Sequence, residues 1–283
     1  MAFLAVACGV ISSAAHADNT VSGYLEVAGS AAWTQPVQPV LQSNPWTGAD
    51  IAGRATFWLG PKWSTQADLS TESIWAKRNN SDGWVDLPAT TGAIHLSLRN
   101  PSRGLIGGFG GVIDSGAGDA ASHAQGVFGG IEGQIYLRNV TLYGQATYLK
   151  QSGGLLYDRY PYQLWLMQAT ARWFAAPNTK LEATVGYMGG GVWGLDYNWQ
   201  SHAFMFSAEA EHRFDGAPVS AFVRAKGFAD TDIGGFSTAT NGTIQAGIRI
   251  RWGGGTLLDD DRNGTTLTLP DFTPLDWERS ISE

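Results

Sequence analysis

Charged side chains alternate with apolar ones along much of this sequence. In the stretch TIQAGIRIRWGG, residues 243–254, two arginines alternate with two isoleucines, which is the period of a β-strand and places charge on one face only. Guanidinium and carboxylate groups on one face can pair with each other or attract a charged solute. Across the chain, the positions that share this polar parity are Arg54, Asp68, Glu72, Arg99, Glu132, Arg172, Glu182, Glu209, Glu211, Arg213, Arg224, Lys226, Arg249 and Arg251. Their signs are nearly balanced, so the sequence leaves both an internal pairing network and a solute-guiding role open.

Two histidines are the candidates for hydrolytic chemistry. His95 has the polar parity and is followed two residues later by Ser97, whereas His212 has the apolar parity near the end of its segment. A hydrolase needs a nucleophile, a base and an orienting group at one place, and the sequence contains no Gly-x-Ser-x-Gly elbow. We therefore expect structural histidines, no catalytic residues and no enzyme, with a lipid-acting enzyme as the alternative.

The segment DDDRNG resembles the first half of a calcium-binding loop. Asp259, Asp261 and Asn263 supply oxygen ligands at alternate positions and Gly264 follows at the sharp turn, but Pro270 stands where a bidentate glutamate belongs. The pattern therefore favours a solvated polar turn. We expect no metal and no cofactor.

The composition is unusual for a water-soluble domain. Charged residues make up 15% of the chain, compared with roughly 25% in soluble domains, and the sequence contains 37 glycines and 12 tryptophans. The net charge is −7 and no basic stripe is present, which argues against a nucleic-acid partner. These proportions suit strands that face something other than water.

The first 17 residues, MAFLAVACGVISSAAHA, have the apolar run and the small-residue cleavage site of a secretory signal peptide, although the usual positive start is missing. A lipoprotein site at Cys8 and a buried N-terminal helix are the alternatives. Cys8 is the only cysteine, so the mature chain would contain no disulfide.

From residue 18 to residue 252 the sequence predicts about twelve strands of roughly 9 to 13 residues, with almost no helical windows. The links between them alternate strictly, tight ones such as residues 60–62 with long ones such as residues 34–50. Beyond the leader no run of 18 apolar residues could form a membrane helix. This alternation is typical of a transmembrane antiparallel up-and-down β-barrel with short periplasmic turns and longer external loops.

The aromatic residues of the apolar parity support this interpretation, because barrels carry aromatic girdles at both membrane interfaces. One predicted girdle lies at the periplasmic strand ends and the other near the outer ends; they consist of Trp63, Trp173, Phe214 and Trp252, and of Trp33, Trp75, Tyr148 and Tyr187. The alternative is a soluble β-sandwich or lipocalin-like barrel that would hold these aromatics in its core.

The segments GIEGQIYLRNVTLYGQATYLK and IRWGGGTLLDDDRNGTTL resemble the porin-family outer-membrane β-barrel proteins of Gram-negative, especially alphaproteobacterial, genomes. The resemblance implies an outer-membrane location. The barrel architecture predicts a passive diffusion route for small hydrophilic solutes, and we expect outer-membrane lipid and lipopolysaccharide, the barrel-assembly machinery and those solutes as partners. A plugged structural, adhesion or binding barrel that acts through its external loops is the other possibility.

Residues 253–283 continue beyond the last predicted strand, which ends on Trp252. We expect a C-terminal periplasmic tail, since the domain ends on that side. The tail has three possible placements: disordered in the periplasm, folded under the barrel, or inserted in the lumen as a plug. Its acidic start beside Arg249 and Arg251 makes the plug worth testing.

Overall fold

The computed structural model describes residues 21–36, 46–77, 84–115, 124–153, 162–192, 199–230 and 239–273. The predicted signal peptide, residues 1–17, lies outside the described residues. The strands are β1 (Val21–Pro36), β2 (Trp46–Trp58), β3 (Trp63–Lys77), β4 (Trp84–Asn100), β5 (Gly104–Ser115), β6 (Ala124–Tyr136), β7 (Val140–Gly153), β8 (Tyr162–Ala176), β9 (Thr179–Val192), β10 (Trp199–Arg213), β11 (Val219–Asp230) and β12 (Ala239–Trp252). One short helix, α1 (Leu257–Asn263), follows β12.

The twelve strands form a closed barrel in which every strand pairs antiparallel with its neighbours in the chain. Closure is made by β1 and β12, whose register places Glu26 opposite Arg249 and Gly23 opposite Trp252. A closed barrel leaves no strand edge unpaired, which is the requirement for crossing a lipid bilayer with β-structure. The predicted fold class is confirmed.

The two faces of the barrel differ in the sense expected for a membrane protein. Large apolar side chains are exposed on the outside, for example Ile131 at 70% and Ile106 at 68%, while the inside carries buried polar residues such as Glu132 and Gln134. A soluble sandwich or lipocalin-like barrel would show the opposite distribution, so the structure contradicts that alternative. No helix of the described residues is long and apolar enough to cross a membrane.

Short connections lie at one end of the barrel, which we call the turn end; the opposite end is the loop end. Five links at the turn end span only residues 59–62, 101–103, 137–139, 177–178 and 214–218. At the last of these, Gly216 has a φ of 72°, a left-handed conformation that favours glycine. At the loop end the strands are longer than predicted, since residues 34–36 and 46–50 of the predicted long link belong to β1 and β2; the middle of each long link lies outside the described residues.

The tail does not leave the barrel after Trp252. Residues 256–273, which we call the plug, lie inside the lumen, where they contact strands from all sides. The start of the plug is α1, whose N-cap Thr256 exchanges hydrogen bonds with Asp259 in a capping box. The prediction of a solvated polar turn at DDDRNG is therefore wrong, because Asp260 and Asp261 are buried in this helix.

The inner wall is not polar throughout. A buried apolar cluster collects residues from β4 to β11, among them Phe109, Phe128, Leu166 and Met205, and Phe272 of the plug packs into it. Closer to the turn end, the plug residue Leu267 packs with Leu105 and Tyr143. The plug therefore fills the lumen through apolar as well as polar contacts.

Candidate functional site

The charged residues of the inner wall form two groups that the strand register brings together. The first group, the charge ring, is centred on Arg249, whose guanidinium donates to Glu26 at 2.6 Å, to Glu209 at 2.9 Å and to Glu211. Arg224 donates to Glu209 at 2.7 Å. Glu26 faces Arg249 and Glu209 faces Arg224 directly across neighbouring strands, so the ring follows from alternation and register alone.

Lys180 completes the charge ring and was absent from the predicted set. Its Nζ lies 3.2 Å from Glu182, 3.0 Å from Glu209 and 3.3 Å from Glu211. The signal for it was available in the sequence, because Lys180 stands two positions before Glu182 and therefore shares its face.

The second group lies around His95, which is completely buried. Its Nδ1 is 2.8 Å from Glu132 and its Nε2 is 3.4 Å from Asp68, so two carboxylates flank one imidazole. Tyr143 donates its hydroxyl to the other oxygen of Glu132 at 2.8 Å, and His95 stacks on Phe109. Ser97 is not part of this group, because its hydroxyl pairs with Ser64 at 2.9 Å.

Side chains of the plug are held by charges of the wall. Arg172, which also pairs with Glu182, donates to Asp261 at 3.1 Å and to Thr266 at 2.7 Å, and Thr141 donates to Asp261. The neighbouring Asp260 faces Arg251 at 3.3 Å and Arg213 at 3.7 Å. The acidic start of the tail thus meets the basic wall that the sequence placed beside it.

The backbone of the plug is bound as well. Arg54 and Gln66 donate to the carbonyl of Leu267 at 2.8 and 2.9 Å. Arg99 donates to the carbonyl of Gly264 at 2.6 Å, and Trp58 donates to that of Asn263 at 2.7 Å. Buried carbonyls need such partners, and here the wall supplies them because the segment after α1 has no regular structure.

Asp260 is a buried carboxylate of the plug whose pKa is raised. Burial raises its pKa to about 6, and the nearby Arg251 and Arg213 offset only part of that effect. Its Oδ1 accepts no hydrogen bond within the described part of the chain. Gly254 leaves room for this oxygen, since a β-carbon there would lie 1.6 Å from it.

The plug joins the barrel through three consecutive glycines, Gly253 to Gly255. Gly253 has a φ of 74°, and a β-carbon at this position would lie 1.9 Å from the carbonyl oxygen of Val21. Only glycine fits this turn without strain. It reverses the chain from the wall into the lumen.

A cavity of about 240 Å³ runs between the plug and the wall, where it is lined by residues from Leu257 to Thr273 on one side and by strand residues on the other. Its wall includes Asp50, Glu72 and Lys226, with Asp271 on the plug side. Carboxylates outnumber cationic side chains in this lining. In the described ranges no group of three or more His, Cys, Asp or Glu side chains could hold a metal ion.

Most of the remaining predicted residues lie on the expected face. Lys226 is not part of the charge ring; its Nζ lies 3.2 Å from a carboxylate oxygen of Glu72. On the outer face, six of the interface aromatics are exposed: Trp33, Trp63, Trp75, Trp173, Tyr187 and Phe214. Tyr148 is half-buried against Trp165, and Trp252 is half-buried over Gly23. His212 is exposed on the outer face and lies 3.0 Å from the hydroxyl of Thr179.

No family model and no curated protein matches this chain. Among solved structures, an outer-membrane channel from Pseudomonas putida F1 superposes with a TM-score of 0.61 at 11% identity, covering 86% of this chain and 98% of that one. The translocator domain of the autotransporter NalP from Neisseria meningitidis superposes with a TM-score of 0.52 at 13% identity, covering 88% and 93%. At such identities the likeness concerns the fold.

The closed barrel, its apolar outer belt and these structural neighbours define one class of protein. The chain is a Gram-negative outer-membrane β-barrel, located in the outer membrane. Its lumen holds its own C-terminal segment, residues 256–273.

Proposed function

We propose that this protein is an outer-membrane channel that is closed by its own C-terminal plug and that passes small hydrophilic solutes by passive diffusion when the plug moves aside. In this scheme the charge ring sets the charge preference of the open pore. The plug, attached through the glycine turn at Gly253, determines whether the pore is open.

The observation that carries this proposal is the self-sufficiency of the charge ring. Arg249, Glu26, Glu209, Arg224 and Lys180 satisfy one another without any group of the plug. Departure of the plug would therefore leave a paired, polar wall that water can cover.

The contacts of the plug are compatible with release. Many of its partners are guanidinium and amide groups, such as Arg99 and Gln66, which water can hydrate when the plug leaves. Leu267 and Phe272 are its apolar anchors inside the barrel. The closed state is therefore favoured by many modest contacts and not by a single large apolar interface.

A reversible disulfide tests the proposal. A β-carbon at Gly264 would lie 2.6 Å from Ser22 Oγ, which suits a cysteine pair at these positions. In a Cys8→Ser background, the oxidised Ser22→Cys/Gly264→Cys variant should show no openings in planar-bilayer recordings, and reduction should restore wild-type openings. Each single-cysteine variant serves as the control for redox effects on the bilayer itself. Openings that are equally frequent before and after reduction would contradict a moving plug.

A barrel that stays closed and acts through its external loops is the second candidate. The burial of Leu267 to 1% and of Phe272 to 4% exposure favours it, because these anchors resist withdrawal. Lipopolysaccharide or another surface would then be the partner. Loop deletions that abolish binding while bilayer recordings show no conductance in any variant would support this candidate against the channel.

The buried position of His95 supports a structural role for the histidine between its two carboxylates, and we propose that the protein is not an enzyme. His212 faces outward, where only Thr179 is bonded to its ring among the described residues. A phospholipid hydrolysis assay on the wild-type barrel tests this. Turnover that disappears in His95→Gln or His212→Gln would revive the lipid-acting alternative.

A further inference from the structure

Asp50 is a buried carboxylate of the inner wall that forms no ion pair with the described residues. It lies on the inner face of β2, only 7% of its surface is exposed, and it lines the cavity beside the plug. Its Oδ1 is buried and accepts no hydrogen bond from the described part of the chain. A buried carboxylate oxygen without a donor is costly, so a wall that keeps one is suited to a ligand that supplies the donor.

The cations nearest to Asp50 are committed elsewhere. Glu72 stands directly opposite Asp50 across β2 and β3, and Lys226 donates to Glu72 at 3.2 Å. Gln245 donates to the same carboxylate at 3.4 Å. On the plug side, Asp271 binds the backbone nitrogen and the hydroxyl of Thr273. Arg224, the other cation near Asp50, is paired with Glu26 and Glu209, so Asp50 receives no hydrogen bond from either cation.

We propose that the cavity at Asp50 binds the cationic group of a small organic solute, a primary ammonium, between Asp50 and Glu72. The proposal deepens the proposed function and rests on it, since it names the class of solute that the channel would select. The bound ammonium donates to the free oxygen of Asp50. Its charge also offsets the local excess of carboxylates.

An ammonium group fits this site better than the other charged ligands. An anion would meet Asp50, Glu72 and Asp271, and the two cations beside them, Lys226 and Arg224, are already paired with Glu72 and Glu209. A tightly coordinated metal ion needs several converging ligands, and no such group occurs in the described residues. A compact ammonium carries three donors, of which one can reach Asp50 and another Glu72.

Binding is tested with three two-carbon probes that differ in charge: ethanolamine, glycolate and ethylene glycol. Isothermal titration of the full-length barrel in detergent micelles and amine-free buffer should show binding of ethanolamine only. Asp50→Asn should weaken that binding at least about tenfold, because it removes a charge-assisted hydrogen bond at a buried site. Asp114→Asn, at the same end of the barrel but outside the cavity lining, makes the same charge change and should leave binding intact.

Two results would overturn the site: equal binding of ethanolamine and glycolate, or unchanged ethanolamine binding in Asp50→Asn. The circular dichroism spectrum shows whether each variant keeps its barrel, and Asp50→Glu serves as a second variant that keeps the charge while moving it. The titration uses the closed protein and needs no current. A barrel that binds ethanolamine but never conducts would therefore disprove the channel alone, whereas one that conducts without binding would disprove this site alone.

Discussion

Replacing Asp261 by asparagine should loosen the plug by an amount that the structure allows us to estimate. Asp261 is buried and receives hydrogen bonds from Arg172, Thr141 and Thr266. Hydrogen bonds to a charged group contribute roughly 1.5–3 kcal/mol each, and asparagine keeps an acceptor oxygen without the charge. We therefore expect the closed state to lose about 2 kcal/mol, which corresponds to an increase of about thirtyfold in the ratio of open to closed channels.

Single-channel recording measures this ratio as the open probability. Asp114→Asn, near the loop end of β5 where Asp114 accepts a hydrogen bond from Gln125, makes the same substitution and should leave the open probability unchanged. The effect of Asp261→Asn should shrink in an Arg172→Gln background, since the two residues act through one contact. An Asp261→Asn channel that opens as rarely as the wild type would refute the assignment of this contact to plug retention.

Three further predictions concern pH, the charge ring and the lipid-facing surface. Burial raises the pKa of Asp260 from 3.8 to about 6, so the protonated Asp260 stabilises the docked plug fully below about pH 4, and this stabilisation is lost as the pH rises through 6. The open probability should therefore rise between pH 4 and pH 6. A similar rise in Asp260→Asn would show that another group causes the pH dependence. Arg249→Met removes the cation that Glu26, Glu209 and Glu211 share. It should lower the free energy of unfolding by about 3–5 kcal/mol in a urea titration. A loss below about 1 kcal/mol would contradict this role of Arg249. Ile131→Arg, halfway along β6 on the outer face, should lower the free energy of unfolding by about 2–4 kcal/mol in the same titration. Leu59→Arg at the turn end should lower it by about 1 kcal/mol or less. Equal losses in the two variants would argue against a lipid-facing position of Ile131.

The barrel could be predicted because its signal is local. Apolar and polar residues alternate along each strand, so the sequence shows which residues face inward. The inward positions of Arg249 and Glu209 follow from the apolar residues on either side of them. The alternation of short and long links then gave the topology. The structure shows the same twelve strands closing into one sheet.

The position of the plug could not be predicted in the same way. Beyond the seven-residue helix α1 its residues form no regular element, and they are held by side chains of distant strands that donate to their backbone carbonyls, as Arg99 does to Gly264. These contacts depend on the assembled wall and leave no pattern in the tail itself. The sequence offered only charge complementarity between the acidic start of the tail and Arg251.

Two features of the wall needed the register between strands. His95 was recognised as inward-facing, but its position between Asp68 and Glu132 depends on how β3, β4, β5 and β6 align. In the same way, Asp50 Oδ1 has no hydrogen-bond donor in the described part of the chain because Lys226 pairs with Glu72. Parity assigns a face to a residue, but it does not say which partner that residue has.

Removal of the plug tests the central claim most directly. A chain that ends at Gly255 keeps all twelve strands and the complete charge ring, and its folding can be verified by its heat-dependent mobility in gel electrophoresis. In planar bilayers we expect this chain to conduct continuously, while the full-length protein is closed for most of the recording. A folded, inserted barrel without the plug that carries no current at any voltage would contradict the account.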